Sequence, residues 1–442
     1  MADIESFIKG EQPEIELRAD IGPLIGRLET KLKAAGVTGR RGEPEKKLEY
    51  AVRLMIELGL GLRASDIHLS PHIREDGRGN IGMLRYRIDG ILHPEAEIDP
   101  RLLPAITGRW KTVAGCNPTE TSAPQNGRSL LNVRGEELDL RISFHPSVLG
   151  ESITARILSS KQVIQALSLD RIGYARSDLD RILKALKAPA GMIIVSGPAG
   201  CGKTTNLYAS VRQIAGPGLK VMSVEDPVEF LLPWVVQARI REEFTFPAAI
   251  RSFLRSDPDV IMIGEIRDYQ TLALAQQAAL TGHLVLTTLH AGNAAGALKR
   301  LVDIGSDPLI VRDAASLILA QRLVRRLCVH CSIEAAPTPD SLTAAERIAR
   351  EGGVNWKELP KKFRKAVGCP KCYLGFRGRT VIAETLEMTP EVGRLLLEGA
   401  PAEEIERAAV GQGMITFAAD GMRRAAAGET TIEEVLLTLA LK

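Results

Sequence analysis

Residues 197–204 read Gly-Pro-Ala-Gly-Cys-Gly-Lys-Thr and follow the apolar run Met192-Ile193-Ile194-Val195. Glycines at 197, 200 and 202 ahead of a Lys-Thr pair leave the chain few choices. A strand must turn sharply into a helix, with backbone N–H groups pointing into the bend. Such a loop wraps a phosphate. Gly197, Pro198, Ala199, Gly200, Cys201 and Gly202 supply the cradle, the helix N-terminus faces the anion, and Lys203 adds a positive charge. Thr204, with Thr205 beside it, can ligate Mg²⁺. In a chain with 40 glycines the bare pattern also arises as a glycine-rich turn. Its place directly after an apolar strand argues instead for a nucleoside triphosphate as ligand.

The flanking pattern sets the fold class. The apolar runs VMSVEDPV, VIMIGEI and LVLTTLHA alternate with helical stretches at 269–281 and 294–303. This predicts an α/β core over 176–325 with functional residues at the C-terminal ends of its strands. Upstream, residues 47–61 read as an amphipathic helix. Period-2 patterns at 66–71, 83–93 and 129–146, with a helical stretch at 99–115, predict a small α+β domain over 46–160. Residues 1–45 read as an arm and linker, 161–175 as a connector, 326–385 as a cysteine-bearing subdomain, and 386–442 as helices with glycine stops.

Two C-x-x-C pairs, Cys328/Cys331 and Cys369/Cys372, have the spacing of a tetrahedral Zn²⁺ site. Four thiolates leave no open position, so the metal would be structural. Four reduced thiols or a redox pair are the alternatives. Composition argues against other classes. A net charge of +3 and 4% aromatic residues supply neither a basic nor a stacking platform for nucleic acid. No run of 18 uncharged apolar residues exists to span a membrane, and the N-terminus lacks a secretory pattern. A cytoplasmic location is the default expectation.

Three further segments could face the phosphate loop. Glu225, after a Val/Met-rich strand, could orient or deprotonate a water, and Glu265, at the far end of Val260–Gly264, could meet Mg²⁺ or its water. His283 and His290 bracket the strand Leu284–Leu289, and His290 could sense the γ-phosphate. Asp226 and Asp259 fit turns or caps equally well. One lysine with Mg²⁺ leaves developing phosphate charge partly uncompensated, which argues for arginines. Arg85, Arg87, Arg141 and Arg156 in the small domain, and Arg267 beside Glu265, are candidates, although surface ion pairs are the usual role of an arginine.

The segments ASDIHLSP, RYRIDG, QNGR, LDLRIS, GPAGCGKTT, VEDPVEF, DPDVIMIGEIRD, TGHLVLTTLHAGNA, RLVRRLCVHC and GCPKCYLGFRGR occur in this order between residues 64 and 379. Together they resemble the secretion ATPase superfamily, the assembly motors of bacterial type II secretion and type IV pili. The resemblance implies a RecA-like P-loop core preceded by a small PAS-like domain, with a zinc-binding insert and a helical C-terminal region. It implies catalytic roles for Lys203, Glu225, Glu265, His283 and His290, and places Arg87 and Arg141 as arginines that reach the nucleotide. It implies a homo-hexamer at the inner membrane that drives a platform protein and engages other cytoplasmic components of the apparatus, with secretion or pilus extension favoured by the cysteine pairs. Longer members carry an extra docking domain without counterpart in the residues before the small domain. A RecA-like nucleic-acid translocase and an ATP-binding scaffold with little turnover are the competing expectations.

Overall fold

The computed structural model describes residues 17, 19–36, 46–77, 79–133, 135–159 and 168–440. Most of the expected arm over 1–45 and half of the connector over 161–175 lie outside the described residues. The chain divides into two units, Met1–Ile164 and Gln165–Lys442.

The first unit contains helices α1 (Gly22–Ala34), α2 (Lys47–Gly61) and α3 (Leu103–Val113) and strands β1 (Asp66–Ile73), β2 (Asn80–Ile88), β3 (Ile91–Ile98), β4 (Gln125–Val133), β5 (Glu136–Ser147) and β6 (Gly150–Ser159). The strands form one antiparallel sheet in the order β3-β2-β1-β6-β5-β4. The period-2 run at 83–93 is a hairpin rather than one strand. Asp89 and Gly90 both take positive φ, 49° and 91°, which matches the strand twist in a two-residue turn. Alternation buries Ile67, Leu69, Leu84, Tyr86, Leu140, Ile142, Ile153 and Ala155 on one face. Helices α2 and α3 pack against the sheet. Gly59 lets α2 approach closely, since a Cβ there would lie 2.9 Å from Ile157 Cδ1.

The second unit begins with α4 (Leu169–Ile172) and α5 (Arg176–Ala185). It continues through β7 (Gly191–Ser196), α6 (Lys203–Ile214), β8 (Val221–Glu225), β9 (Val235–Arg239), α7 (Phe246–Leu254), β10 (Val260–Ile263), α8 (Tyr269–Leu280), β11 (Leu284–Leu289), α9 (Ala294–Asp303), α10 (Pro308–Ala314) and β12 (Ala315–Leu327). Strand β13 (Ile333–Glu334), α11 (Pro339–Glu351), β14 (Arg364–Lys365), β15 (Phe376–Glu387), α12 (Pro390–Leu397), α13 (Ala402–Gly411), α14 (Phe417–Ala426) and α15 (Ile432–Ala440) follow. The main sheet runs β15-β12-β7-β11-β10-β8-β9, parallel except for β15. Strands β8, β10 and β11 are buried along their whole length, as a parallel sheet covered on both faces requires.

Strand β15 pairs antiparallel with β12 from Leu327 to Leu317. Residues 376–385, grouped with the cysteines in the sequence reading, therefore run inside the main sheet, and only the stretch between β12 and β15 leaves it. That stretch is not merely polar loop. Helix α11 packs against α14 and α15 around an apolar cluster that includes Val324, Ala345, Trp356, Met422 and Val435.

Candidate nucleotide site and cysteine centre

Register brings the site together. Ser196 pairs with Leu289, Thr287 with Ile263, and Ile263 with Val224, so β7, β11, β10 and β8 end on one edge. The residues that follow those ends converge: the 197–202 loop, His290, Gly264-Glu265 and Glu225. The crevice outside the carboxyl ends of parallel strands is where such folds bind ligands. A cavity of about 240 Å³ there is lined by Lys203, Thr204, Tyr208, Glu225, Glu265 and His290, with Leu207, Phe246 and Met262 as apolar wall.

The loop has the conformation its glycines predict. Gly197, Gly200 and Gly202 take φ of 148°, 75° and 91°. A Cβ at Gly197 would sit 2.5 Å from Cys201 Sγ and 2.6 Å from the Gln321 carbonyl, so no larger residue fits. Lys203 Nζ donates to the carbonyls of Gly197 (2.6 Å) and Pro198 (2.9 Å) and lies 3.4 Å from His290 Nδ1. Burial lowers the pKa of Lys203. Burial also lowers that of His290, and the Lys203 charge adds to the effect. Thr204 is exposed at the first turn of α6.

The two glutamates differ. Glu225 is 3% exposed. Its Oε1 accepts from Ser223 Oγ (2.6 Å) and Gln237 Nε2 (3.1 Å), and its Oε2 accepts from Tyr208 Oη. Burial raises its pKa, against the pull of these donors. Glu265 pairs with Arg267 and lies 3.8 Å from His290 Nε2. Glu265 and His290 face the loop; Arg267 is the exposed partner that holds the carboxylate.

His283 is not brought to this edge. It precedes β11, its carbonyl accepts from Gly191 N–H at the start of β7, and its Nδ1 lies 3.0 Å from the Ala278 carbonyl. A six-residue strand is about 20 Å long, so residues bracketing it stand at opposite edges of the sheet. The expectation that both histidines act at one site is corrected accordingly. Asp259 is likewise at the far edge, accepting from Lys220 N–H at 2.6 Å.

Arg87 and Arg141 lie in the first unit, on β2 and β5. Direct pairing sets Arg87, Asp66, Arg156, Arg141 and Arg128 in one row across five strands. Asp66 Oδ1 accepts from Arg156 Nε at 3.0 Å, and its Oδ2 is 3.8 Å from Arg87 Nε. Arg128 is held by Asp139 through two 2.8 Å bonds.

Among the described residues Cys328, Cys331, Cys369 and Cys372 form one cluster, with all four Sγ atoms within 4.8 Å of one another. The separations of 3.9 Å (Cys328–Cys369), 3.6 Å (Cys331–Cys372) and 3.7 Å (Cys369–Cys372) match the edge of about 3.8 Å that a tetrahedron of 2.3 Å Zn–S bonds requires. The donor set fits a bound zinc ion.

Comparison with known proteins shows the family. The Type II/IV secretion system protein family matches residues 43–437. The chain belongs to that family. It is 40% identical over 390 residues to the type II secretion system protein E of Xanthomonas campestris, covering 87% of this chain and 66% of that protein. It is 36% identical over 394 residues to the type IV pilus assembly ATPase PilB of Myxococcus xanthus, covering 87% of this chain and 66% of that protein. The chain thus spans slightly under two thirds of these relatives. Its fold resembles the ATPase DotB of Yersinia pseudotuberculosis, with a TM-score of 0.65 at 20% identity over 92% of this chain and 97% of that one. The core of this secretion-family chain is RecA-like, with a helical C-terminal region. Among the described residues no helix is long and apolar enough to cross a membrane.

Several supports of the family site carry no motif. Tyr208 ties α6 to Glu225 and accepts from Glu229 N–H at 3.0 Å, with Phe230 edge-on to its ring at 5.7 Å. Gln321 on β12 donates to the Cys201 carbonyl at 2.8 Å and accepts from Tyr174 (2.8 Å) and Asn206 (3.2 Å), which holds the loop from beneath. One signal for Gln321 was available, an amide inside the apolar run LILAQRLV.

Proposed function

We propose that this chain is a Mg²⁺-dependent ATPase that works as a hexameric motor for secretion or pilus assembly. The observation that carries the reading is the convergence of Lys203, Glu225, Glu265 and His290 around one cavity at the ends of four adjacent strands. The loop N–H groups and Lys203 hold the phosphates. Thr204 and Glu265 would hold Mg²⁺, which would supply charge stabilisation to the departing phosphate. Glu225, with both oxygens already accepting bonds, places the attacking water rather than drifting toward it. His290, between Lys203 and Glu265, senses the γ-phosphate. Arg87 and Arg141 supply further positive charge to the phosphates.

The four cysteines hold a structural Zn²⁺. The small unit is PAS-like in this reading, supported by its helix-backed antiparallel sheet. In this reading the motor stands in the cytoplasm against an inner-membrane platform protein, as the sequence resemblance implies. The test is ATP hydrolysis by the purified chain with and without phospholipid, platform protein and DNA, beside Glu265→Gln. Turnover that rises with platform or lipid, ignores DNA and disappears in the variant supports the motor. Stimulation by DNA alone replaces it with a translocase, and ATP binding without turnover replaces it with a scaffold.

A further inference from the structure

The loop after His290 is held from behind by residues that the phosphate chemistry does not use. Arg322 on β12 donates from Nη2 to the Gly292 carbonyl at 2.6 Å. Glu384 on β15 accepts the Ala294 N–H through Oε1 at 2.6 Å. Asn293 Nδ2 donates to Glu406 on α13 at 2.7 Å. The first two of these side chains also reach the other way. Glu384 Oε2 accepts the Phe417 N–H at 3.1 Å, at the start of α14, and the Arg322 guanidinium lies 5.1 Å from the centroid of the Phe417 ring.

Glu384 is an unusual choice for this position. It is 1% exposed and stands inside the apolar strand TVIAETL. A buried carboxylate is unfavourable unless its partners offset the loss of water. Here the partners are amides at the N-termini of two different helices, α9 and α14, where negative charge is favoured. An apolar residue would fill the space without linking the helices. Helix α14 then packs on α11, the helix of the cysteine-bearing excursion. A continuous set of contacts thus runs from the His290 loop to the excursion, entirely within the second unit.

We propose that Glu384, with Arg322, is a positioning residue pair that joins the His290 loop to helix α14, so that a change at the nucleotide pocket is passed to the C-terminal helices. This rests on the reading of the pocket as an ATP site. A rigid link of this kind shifts both ends together, because the two amides share one carboxylate.

The experiment is hydrogen exchange on the full chain, with and without Mg²⁺ and a non-hydrolysable ATP analogue, beside steady-state ATP hydrolysis. In the parent, bound analogue slows exchange in residues 291–296 and in residues 417–426. Glu384→Gln keeps the size and can satisfy one amide but not both. It retains the slowing at 291–296 and loses it at 417–426. Its kcat falls at least tenfold while KM for ATP stays within threefold. Zinc content and melting profile report whether the variant folds, and Arg322→Gln provides the same test from the other side of the link. Nucleotide-dependent slowing at 417–426 that survives both substitutions overturns the link. So does loosening of both segments that is the same with and without nucleotide, which marks a structural cap only. A parent that binds the analogue without any response at 417–426 also overturns the link while leaving the ATP site standing. A parent that binds no nucleotide removes the site reading, and the link with it.

Discussion

Replacing Tyr208 by phenylalanine tests how Glu225 is held. The ring stays, so the edge-on contact with Phe230 survives and no cavity opens. What disappears is one hydroxyl with two bonds, its donation to Glu225 and its acceptance from Glu229 N–H. A bond to a charged acceptor contributes about 1.5–3 kcal/mol, and an amide left without its acceptor costs about 1 kcal/mol or more. The expected loss is about 2–4 kcal/mol. For a unit of this size that lowers the melting temperature by roughly 3–7 °C. The loss depends on pH. Tyr208 favours the ionised form of Glu225, whose pKa burial already raises. The variant raises that pKa further, so its deficit is largest where the parent glutamate is ionised and shrinks as the medium is acidified. Differential scanning calorimetry of both proteins at pH 5 and pH 8 reads this directly. A shift under about 1 °C, or a deficit equal at the two pH values, would refute the view that Glu225 is a clamped carboxylate.

Lys203→Ala should weaken ATP binding by about a hundredfold, measured by titration calorimetry, since a charge on the phosphates is lost; the melting temperature should fall by only about 1–3 °C, for the lost bonds to the Gly197 and Pro198 carbonyls. Cys369→Ser should abolish stoichiometric zinc by elemental analysis and lower the melting temperature of the second unit. Glu384→Gln should flatten the pH dependence of stability. Burial pushes the native carboxyl from the ordinary 4.5 up to about 7, so its favourable contribution is complete below 4.5 and is lost as pH rises through 7. The variant should recover on the order of a few kcal/mol at pH 8 relative to pH 4.5, read from unfolding at the two pH values. His283→Ala should leave hydrolysis within about threefold of the parent, while His290→Ala lowers it by tenfold or more.

The phosphate loop was legible because its chemistry is local. Three glycines, a lysine and a threonine at fixed spacing act within one turn of chain, and an apolar run identifies the strand before them. Glu225 and Glu265 were legible for a related reason, as each ends an apolar run. The two histidines show the limit. Both flank β11, and only the direction of the strand within the sheet separates the edge that holds the loop from the one that does not. Supports such as Tyr208, Gln321 and Glu384 depend on partners 17, 120 and 90 residues away and have no spacing signature. Their signal is weaker, a polar residue inside a run that burial should keep apolar. Residues 376–385 were misassigned because the sequence groups them with nearby cysteines, whereas pairing with β12 places them in the main sheet.

The row of arginines across the first unit has a mechanical meaning. Adjacent strands stand about 4.8 Å apart, so the row sets the arginine backbones side by side at that spacing. Asp66 is the single carboxylate within that row, shared between Arg156 and Arg87. Asp139 answers Arg128 through two further bonds, so carboxylates of the unit itself hold arginines of the row in place. An extended anion laid across the strands would meet Arg156, Arg141 and Arg128 in succession. The small unit is in this sense pre-arranged: strand register sets the order of the cations before any anion arrives.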